Sequence, residues 1–314
     1  TAFGIRRIEF SGQWGFRLNG VPTKLRGVCN HHDAGAVGAA VPDDVLLRRL
    51  RLLKDMGCNA IRTAHNPQSP TFYDLCDRLG FLVMDEAFDG WEAEKADHDY
   101  GNYFEEWWER DLGDLVKRDR NHPSVLMWSI GNEVREPSRE TQKKLIDLCH
   151  ALDPTRPVTM GGHDPTRGMT GDELPTQLDI KGFNGDGEEK GVLEAFHAAN
   201  PDVPMVGTEM PHTYQTRGVY RTQTHWRKRD FPAPWELGKP VEWESFSKRL
   251  FLVDDLAPAE VFPEETQTQY YQSSYDNALV RISLRQCWQR TRDFDFMIGE
   301  FRWGGFDYLG ETNY

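Results

Sequence analysis

Short apolar runs alternate with amphipathic stretches of helix length along most of this chain. Lys24 to Cys29, Asn59 to Thr63, Phe81 to Asp85 and Ser124 to Ile130 are such runs, each flanked by Gly, Pro or Asn. A continuous apolar run so bounded reads as a strand buried on both faces, as in the parallel sheet of an α/β protein. Asp43 to Met56 places Leu46, Leu50 and Leu53 on one face, opens with Asp43 and Asp44, and is followed by Gly57, which predicts a helix with both ends marked. Thr71 to Leu79, Phe104 to Arg120 and Ser138 to Leu152 predict three more helices. Val158 to Met160, Leu178 to Phe183 and Pro204 to Gly207 add three strands, with Gly191 to Ala199 helical before the last. Thr266 to Arg292 then reads as a helix and Phe296 to Trp303 as an eighth strand.

Two stretches break the rhythm. Ile5 to Phe10 and Trp14 to Leu18 alternate apolar and polar residues around Ser11-Gly12, with Asn19-Gly20 after them, so residues 1–23 read as hairpin strands. They are either a lid on a barrel floor or the end of a preceding β domain. Residues 210–262 hold Tyr214, Trp226, Trp235 and Trp243 among prolines and charges, too long for an ordinary connection and therefore a candidate functional loop. The rest, residues 24–314, is strand, loop and helix repeated. By the simplest count that is a (β/α)8 TIM barrel, the other arrangement the pattern allows being a doubly wound open sheet.

Charge narrows the partners. With 37 Lys and Arg against 50 Asp and Glu, the net formal charge of −13 argues against nucleic acid or an anionic membrane as the main partner and favours a neutral or small substrate. No apolar stretch approaches the roughly 18 residues that span a bilayer. The five cysteines are odd in number, widely spaced and mostly inside predicted elements, which suits buried thiols better than a disulfide or zinc framework.

The chemistry gathers where the strands end. Ser129-Ile-Gly-Asn-Glu133 closes the fourth run, and in a barrel the carboxyl ends of the strands converge on one mouth. Glu133 also suits the start of the following helix or a pair with Arg135, so position alone leaves both readings open. The other strand ends carry His31, His32 and Asp33; Arg62 and His65; Asp85 and Glu86; Asn132; Asn184; Glu209 and His212; and Trp303. A metal hydrolase is one reading, but His31 and His32 are adjacent and point to opposite faces of an extended chain, and no HxH or HExxH is present. Carboxylate-pair chemistry is the other: Glu133 and Glu209 fall on opposite walls of the mouth, as glycoside hydrolysis requires.

Arg62-Thr-Ala-His-Asn-Pro67, Asp85-Glu-Ala-Phe-Asp89 with Trp91, His122-Pro-Ser-Val125 through Gly131-Asn-Glu133, Gly207-Thr-Glu209 and Gly305-Phe-Asp-Tyr-Leu-Gly-Glu311 resemble, in the same order, the motifs of glycoside hydrolase family two. That family includes the large β-galactosidases and β-glucuronidases. The resemblance implies a retaining mechanism with Glu133 as acid/base and Glu209 as nucleophile. It also implies that Asn132 hydrogen-bonds the sugar 2-hydroxyl, that His31, His65 and His212 contact the sugar, and that Trp303 floors the first subsite. Arg62, Asp85 and Asn184 stand as further substrate-site candidates, Arg62 being expected to reach Glu209 or Asp85.

Three departures from the family matter. Gly185 stands where a tyrosine usually follows the sixth strand, leaving Tyr214 as a possible substitute. Gly90 and Glu92 occupy the places of a magnesium-binding Glu and His. Jelly-roll and immunoglobulin-like domains, which normally come first, are expected upstream in the parent chain. The implied activity is that of an exo-β-glycosidase without cofactor or metal, foremost a β-galactosidase acting on an oligosaccharide or polysaccharide fragment. A β-glucuronidase is the alternative, ranked second because no Asn-x-Lys appears near the end of the chain. A non-catalytic sugar-binding barrel is the rival of another class.

Overall fold

The computed structural model describes residues 4–162, 178–211 and 284–308, with the backbone of Thr224–His225 and Thr268–Gln269. The chain opens with an antiparallel meander, β1 (Ile8–Ser11), β2 (Gly15–Leu18) and β3 (Val21–Pro22). Then come β4 (Leu25–Asn30), α1 (Asp43–Asp55), β5 (Ala60–Thr63), α2 (Pro70–Leu79), β6 (Leu82–Glu86), α3 (Gly101–Asp119), β7 (Val125–Asn132) and α4 (Arg139–Leu152). The second half adds β8 (Val158–Gly161), β9 (Lys181–Phe183), α5 (Val192–Ala199), β10 (Met205–Gly207), the short pair β11 (Thr224–His225) and β12 (Thr268–Gln269), α6 (Leu284–Asp293) and β13 (Met297–Arg302).

Eight strands form one sheet in the order β8-β7-β6-β5-β4-β13-β10-β9, every neighbouring pair parallel. Its two edges meet. Asp179 N donates to Val158 O at 3.1 Å and Thr159 Oγ1 to Ile180 O at 2.9 Å, so the sheet closes almost completely into a TIM barrel. The open-sheet alternative is thereby removed.

Two apolar layers follow from the two-residue period of a strand. Leu25, Cys29, Ala60, Leu82, Met84, Leu126, Ile180, Val206 and Phe301 fill the barrel, and Phe16 of β2 joins them from below. Val28, Ile61, Val83, Val125 and Trp128 face outward and meet Leu46, Leu50 and Leu53 of α1, Phe72 and Leu75 of α2, Leu112 and Val116 of α3 and Leu145 of α4. These helices form because their apolar residues recur at the helical period. Ser138 caps α4, its side chain accepting from Thr141 N at 3.3 Å. All five cysteines are buried and free.

The strand and helix boundaries expected from sequence fall within a few residues of those observed, with one exception. The helix expected over 266–292 is helical among the described residues only over Leu284–Asp293, and Thr268–Gln269 instead pairs antiparallel with Thr224–His225. Thr266-Gln-Thr-Gln-Tyr-Tyr is β-branched and aromatic, a composition that favours strand, and the helical apolar period begins only near Cys287 and Thr291. Most of the loop expected at 210–262, with Tyr214, Trp226, Trp235 and Trp243, lies outside the described residues.

Candidate active site

Arg62 is the hub of the barrel mouth. It points inward from β5, and its side chain is fully buried. Nη1 donates to Glu209 Oε2 at 2.9 Å and to Thr208 O at 3.1 Å; Nε and Nη2 reach the two oxygens of Glu86 at 2.9 and 3.0 Å; Nη2 also donates to Asn132 Oδ1 at 2.8 Å. Burial works against a charge here, but Glu86 and Glu209 more than offset it and hold the guanidinium firmly protonated. Gly161 on β8 makes room for this fork. A Cβ at that position would collide with Arg62 Nη2 and lie 2.9 Å from Asn132 Oδ1.

The second organiser is Asn184, 1 % exposed just after β9. Its amide nitrogen donates to Glu133 Oε1 at 3.0 Å, to Glu209 Oε2 at 3.2 Å and to Asn132 Oδ1 at 3.1 Å, while Thr208 Oγ1 donates to its carbonyl at 2.8 Å. One nitrogen touching both carboxylates means that these two oxygens cannot be farther apart than about 6 Å. The two carboxyl groups therefore face each other across the mouth, as a two-carboxylate hydrolysis requires. Glu209 is 5 % exposed, whereas Glu133 is only half-buried. Glu133 also has φ of 39°, a left-handed conformation that L residues avoid and that functional sites tolerate. Its backbone N–H donates to Gly161 O at 2.7 Å, which fixes the turn off β7.

A histidine and aromatic wall completes the mouth. His65 Nδ1 lies 2.7 Å from Glu86 Oε1, and its ring stacks on Trp303 at 5.2 Å. His31 stacks on Tyr308 at 3.9 Å and meets His65 and Trp303 edge-on. Burial, with His65 adding to it, lowers the His31 pKa to about 4, so the ring is neutral at ordinary pH. Asn132 Nδ2 donates to Asp89 Oδ1 at 3.0 Å, and Lys95 Nζ to the same oxygen at 2.7 Å. Burial opposes the Asp89 charge, but His65 and Lys95 prevail and keep its carboxyl below the usual range.

The structure thus brings together His31, Arg62, His65, Asn132, Glu133, Asn184, Glu209 and Trp303. It corrects Asp85. Leu82 and Met84 of β6 point into the barrel, so the alternation turns Asp85 outward and Glu86 inward. Asp85 is buried under α2 and α3, accepting from Tyr73 OH at 2.7 Å, and burial followed by nearby Asp119 raises its pKa well above the carboxylate range. Glu86 takes the place expected for it, receiving Arg62, His65 and also Ser129 Oγ at 2.6 Å. Glu86 stood among the strand-end residues, and counting parity forward from Leu82 would have singled it out. Asp89, Thr208 and Tyr308 stood in the quoted motifs without a role, and Lys95 went unread, because loop residues carry no periodicity. His212 lies outside the described residues.

Fold and site together define a barrel with paired carboxylates at its carboxyl rim, the architecture of a glycoside hydrolase domain. The chain belongs to glycosyl hydrolase family 2: residues 12–229 match the model described as Glycosyl hydrolases family 2, TIM barrel domain. It is 43 % identical over 313 residues to the Formosa agariphila protein named "Putative beta-glucuronidase", covering 99 % of this chain and 28 % of that one. It is 38 % identical over 350 residues to a β-galactosidase of Bacteroides ovatus, covering 99 % and 37 %. The crystal structure of a β-glycosidase from Bacteroides vulgatus superposes with a TM-score of 0.83 at 59 % identity, covering 99 % and 38 %. The chain therefore spans about a third of the length of the relatives it matches.

Proposed function

We propose that this chain is the catalytic barrel of a retaining exo-β-glycosidase and that its substrates are β-galactosides at the ends of oligosaccharides or polysaccharide fragments. The observation that carries the reading is the single Asn184 nitrogen between Glu133 and Glu209. Glu209 is the nucleophile. It is paired with Arg62, and an opposite charge at hydrogen-bond distance favours the anion that attacks the anomeric carbon. Glu133, the more accessible of the two, gives its proton to the leaving oxygen and then takes one from the water that cleaves the glycosyl-enzyme. Asn132 serves the 2-hydroxyl, while His31, His65 and Trp303 form the wall of the first subsite, with His212 assigned to the same subsite. Arg62 and Asn184 hold the two carboxylates in register. No cofactor or metal is assigned.

The cations of the mouth favour a neutral sugar. Among the described residues, Arg62 is taken up by Glu86 and Glu209 and Lys95 by Asp89, which leaves neither for a substrate carboxylate. A β-glucuronidase is the second reading, supported by the name of the Formosa agariphila relative. In the parent protein we place jelly-roll and immunoglobulin-like domains upstream, with residues 1–23 as the end of the latter.

Hydrolysis of 4-nitrophenyl β-galactoside and β-glucuronide by the purified protein separates the two sugars, and failure on both with retained sugar binding would indicate a binding barrel. Roles are separated by variants. Glu209→Ala should abolish activity on every glycoside, since every substrate needs the nucleophile. Glu133→Ala should cripple hydrolysis of a disaccharide yet still form glycosyl-enzyme from an activated aryl glycoside, with azide restoring turnover. Azide rescue of Glu209→Ala with retention, and none of Glu133→Ala, would reverse the assignment.

A further inference from the structure

Beside the catalytic groups lies space that the two-carboxylate mechanism does not use. A cavity of about 640 Å³ opens on His31, His65 and Asp89 and runs outward between the β5 and β6 loops to α3. A second, of about 290 Å³, shares His32, Pro67 and Arg118 with it and continues under Gln68. Asn132 sets the direction. Its carbonyl oxygen faces Arg62 and Asn184, whereas its amide nitrogen faces Asp89 and His65, where the cavity begins. Glu133, whose proton goes to the leaving group, does not line the cavity. With Asn132 on the 2-hydroxyl, as proposed above, the space opens beside the terminal sugar rather than toward the leaving group.

The walls indicate what would fill it. Gln68 is 6 % exposed, and its amide nitrogen has no hydrogen-bond partner; His31 Nε2 is likewise buried without one. Both residues border the cavity pair and, with His32 and Asn66, give its walls a polar side beside the apolar one. Pro67, Ala87, Phe88 and Leu115 supply apolar surface for the C–H faces of a ring. Among the described residues Asp89 is paired with Lys95 at 2.7 Å and Asp114 with Arg110 at 3.8 Å, Asp111 accepts from Tyr100 OH at 2.7 Å, and the Arg118 guanidinium is engaged by Asp119 at 2.6 and 2.7 Å, so the walls offer an anion no unengaged cation. An anionic group is disfavoured there.

We propose that this paired cavity is a subsite for a neutral sugar unit carried on the terminal residue itself, so that the enzyme accepts branched ends. The proposal rests on the glycosidase reading and deepens it. The test compares kcat/KM for plain 4-nitrophenyl β-galactoside with derivatives bearing a neutral hexose, or a sulfate, on the 2-, 3- or 4-hydroxyl. At least one hexosyl derivative should be hydrolysed within about fivefold of the plain substrate, and the matching sulfate more than about tenfold more slowly. Asp114→Trp, which fills the cavity from an exposed position of α3, and Gln68→Leu, which removes the amide, should each lower the hexosyl-to-plain ratio about tenfold or more. Hydrolysis of the plain substrate with rejection of every hexosyl derivative, or a ratio that neither variant moves, would overturn the proposal. Should the protein cleave no plain glycoside, the glycosidase reading fails separately. Saturation-transfer NMR contacts from the hexose that are lost in Asp114→Trp would then still support the subsite, and their absence would end it.

Discussion

Arg62 holds together groups that would otherwise drift apart, since its planar fork reaches Glu86, Glu209 and Asn132 at once. A lysine ammonium at that site is a point charge that cannot make these bonds in their fixed directions. Arg62→Lys should therefore lower kcat/KM by about a hundredfold or more, with the first, glycosyl-enzyme-forming step slowed in single-turnover measurements. An unchanged rate would remove Arg62 from the mechanism. Gly161→Ala tests the same fork from the other side: the added methyl meets Arg62 Nη2 and should displace it. We expect activity to fall about as far, because a misplacement of about 1 Å costs about a hundredfold, while circular dichroism stays that of the parent. At this scale the sequence was mostly legible, because motif residues at strand ends declare themselves. Asp85 shows the limit. One position decides which face of β6 a carboxylate occupies, and only the apolar parity of Leu82 and Met84 reveals that Glu86, not Asp85, faces Arg62.

Among the elements, β13 and α6 carry a buried titration that belongs to packing rather than catalysis. Glu300 Oε2 accepts from Thr291 Oγ1 at 2.5 Å and Cys287 Sγ at 3.3 Å, both on α6. Burial is the main cause raising its pKa from 4.5 to about 7; Thr291, Cys287 and Arg290 pull the other way, and Glu188 adds to the rise. Since the folded pKa exceeds the unfolded one, this contribution is fully present below about pH 4.5 and lost as pH rises through about 7. The window corresponds to about 3 kcal/mol at most. Glu300→Gln, uncharged throughout, should flatten that loss, so melting curves from pH 5 to 8 should show wild type falling relative to the variant. His31 has the opposite sign. Its stabilisation is present above about pH 6.5 and lost as pH falls through about 4. Elements with a regular apolar period were legible to within a few residues. The stretch before α6 was not, because two strand residues without a long period carry no signal until their partner is known.

The molecule as a whole depends on how the barrel is stopped at the end opposite the catalytic mouth. A barrel interior filled with Leu25, Leu82, Leu126 and Ile298 must be covered at both ends, and the polar network of Arg62, Glu86 and Asn184 does this only at the mouth. At the floor the cover is the β1–β3 meander. Phe16, 1 % exposed, joins the interior cluster, with Ile8, Phe10 and Leu18 packed against it, and Phe10 stacks on Phe16 at 5.1 Å. Lys24 Nζ ties the end of the meander to the start of β13 by donating to Phe294 O at 2.6 Å and Met297 O at 2.5 Å. From sequence the meander read as a floor lid or as the end of a preceding β domain. The alternation showed that one face was apolar but could not say what that face covered. In the structure it covers the floor, a role compatible with its proposed origin in an upstream domain. Phe16→Ala should therefore behave as a core substitution and cost about 3 to 5 kcal/mol in urea unfolding, with little change in KM for the protein that remains folded. If Phe16→Ala proved nearly neutral, the meander would be an appendage and the floor would be stopped by the barrel's own side chains.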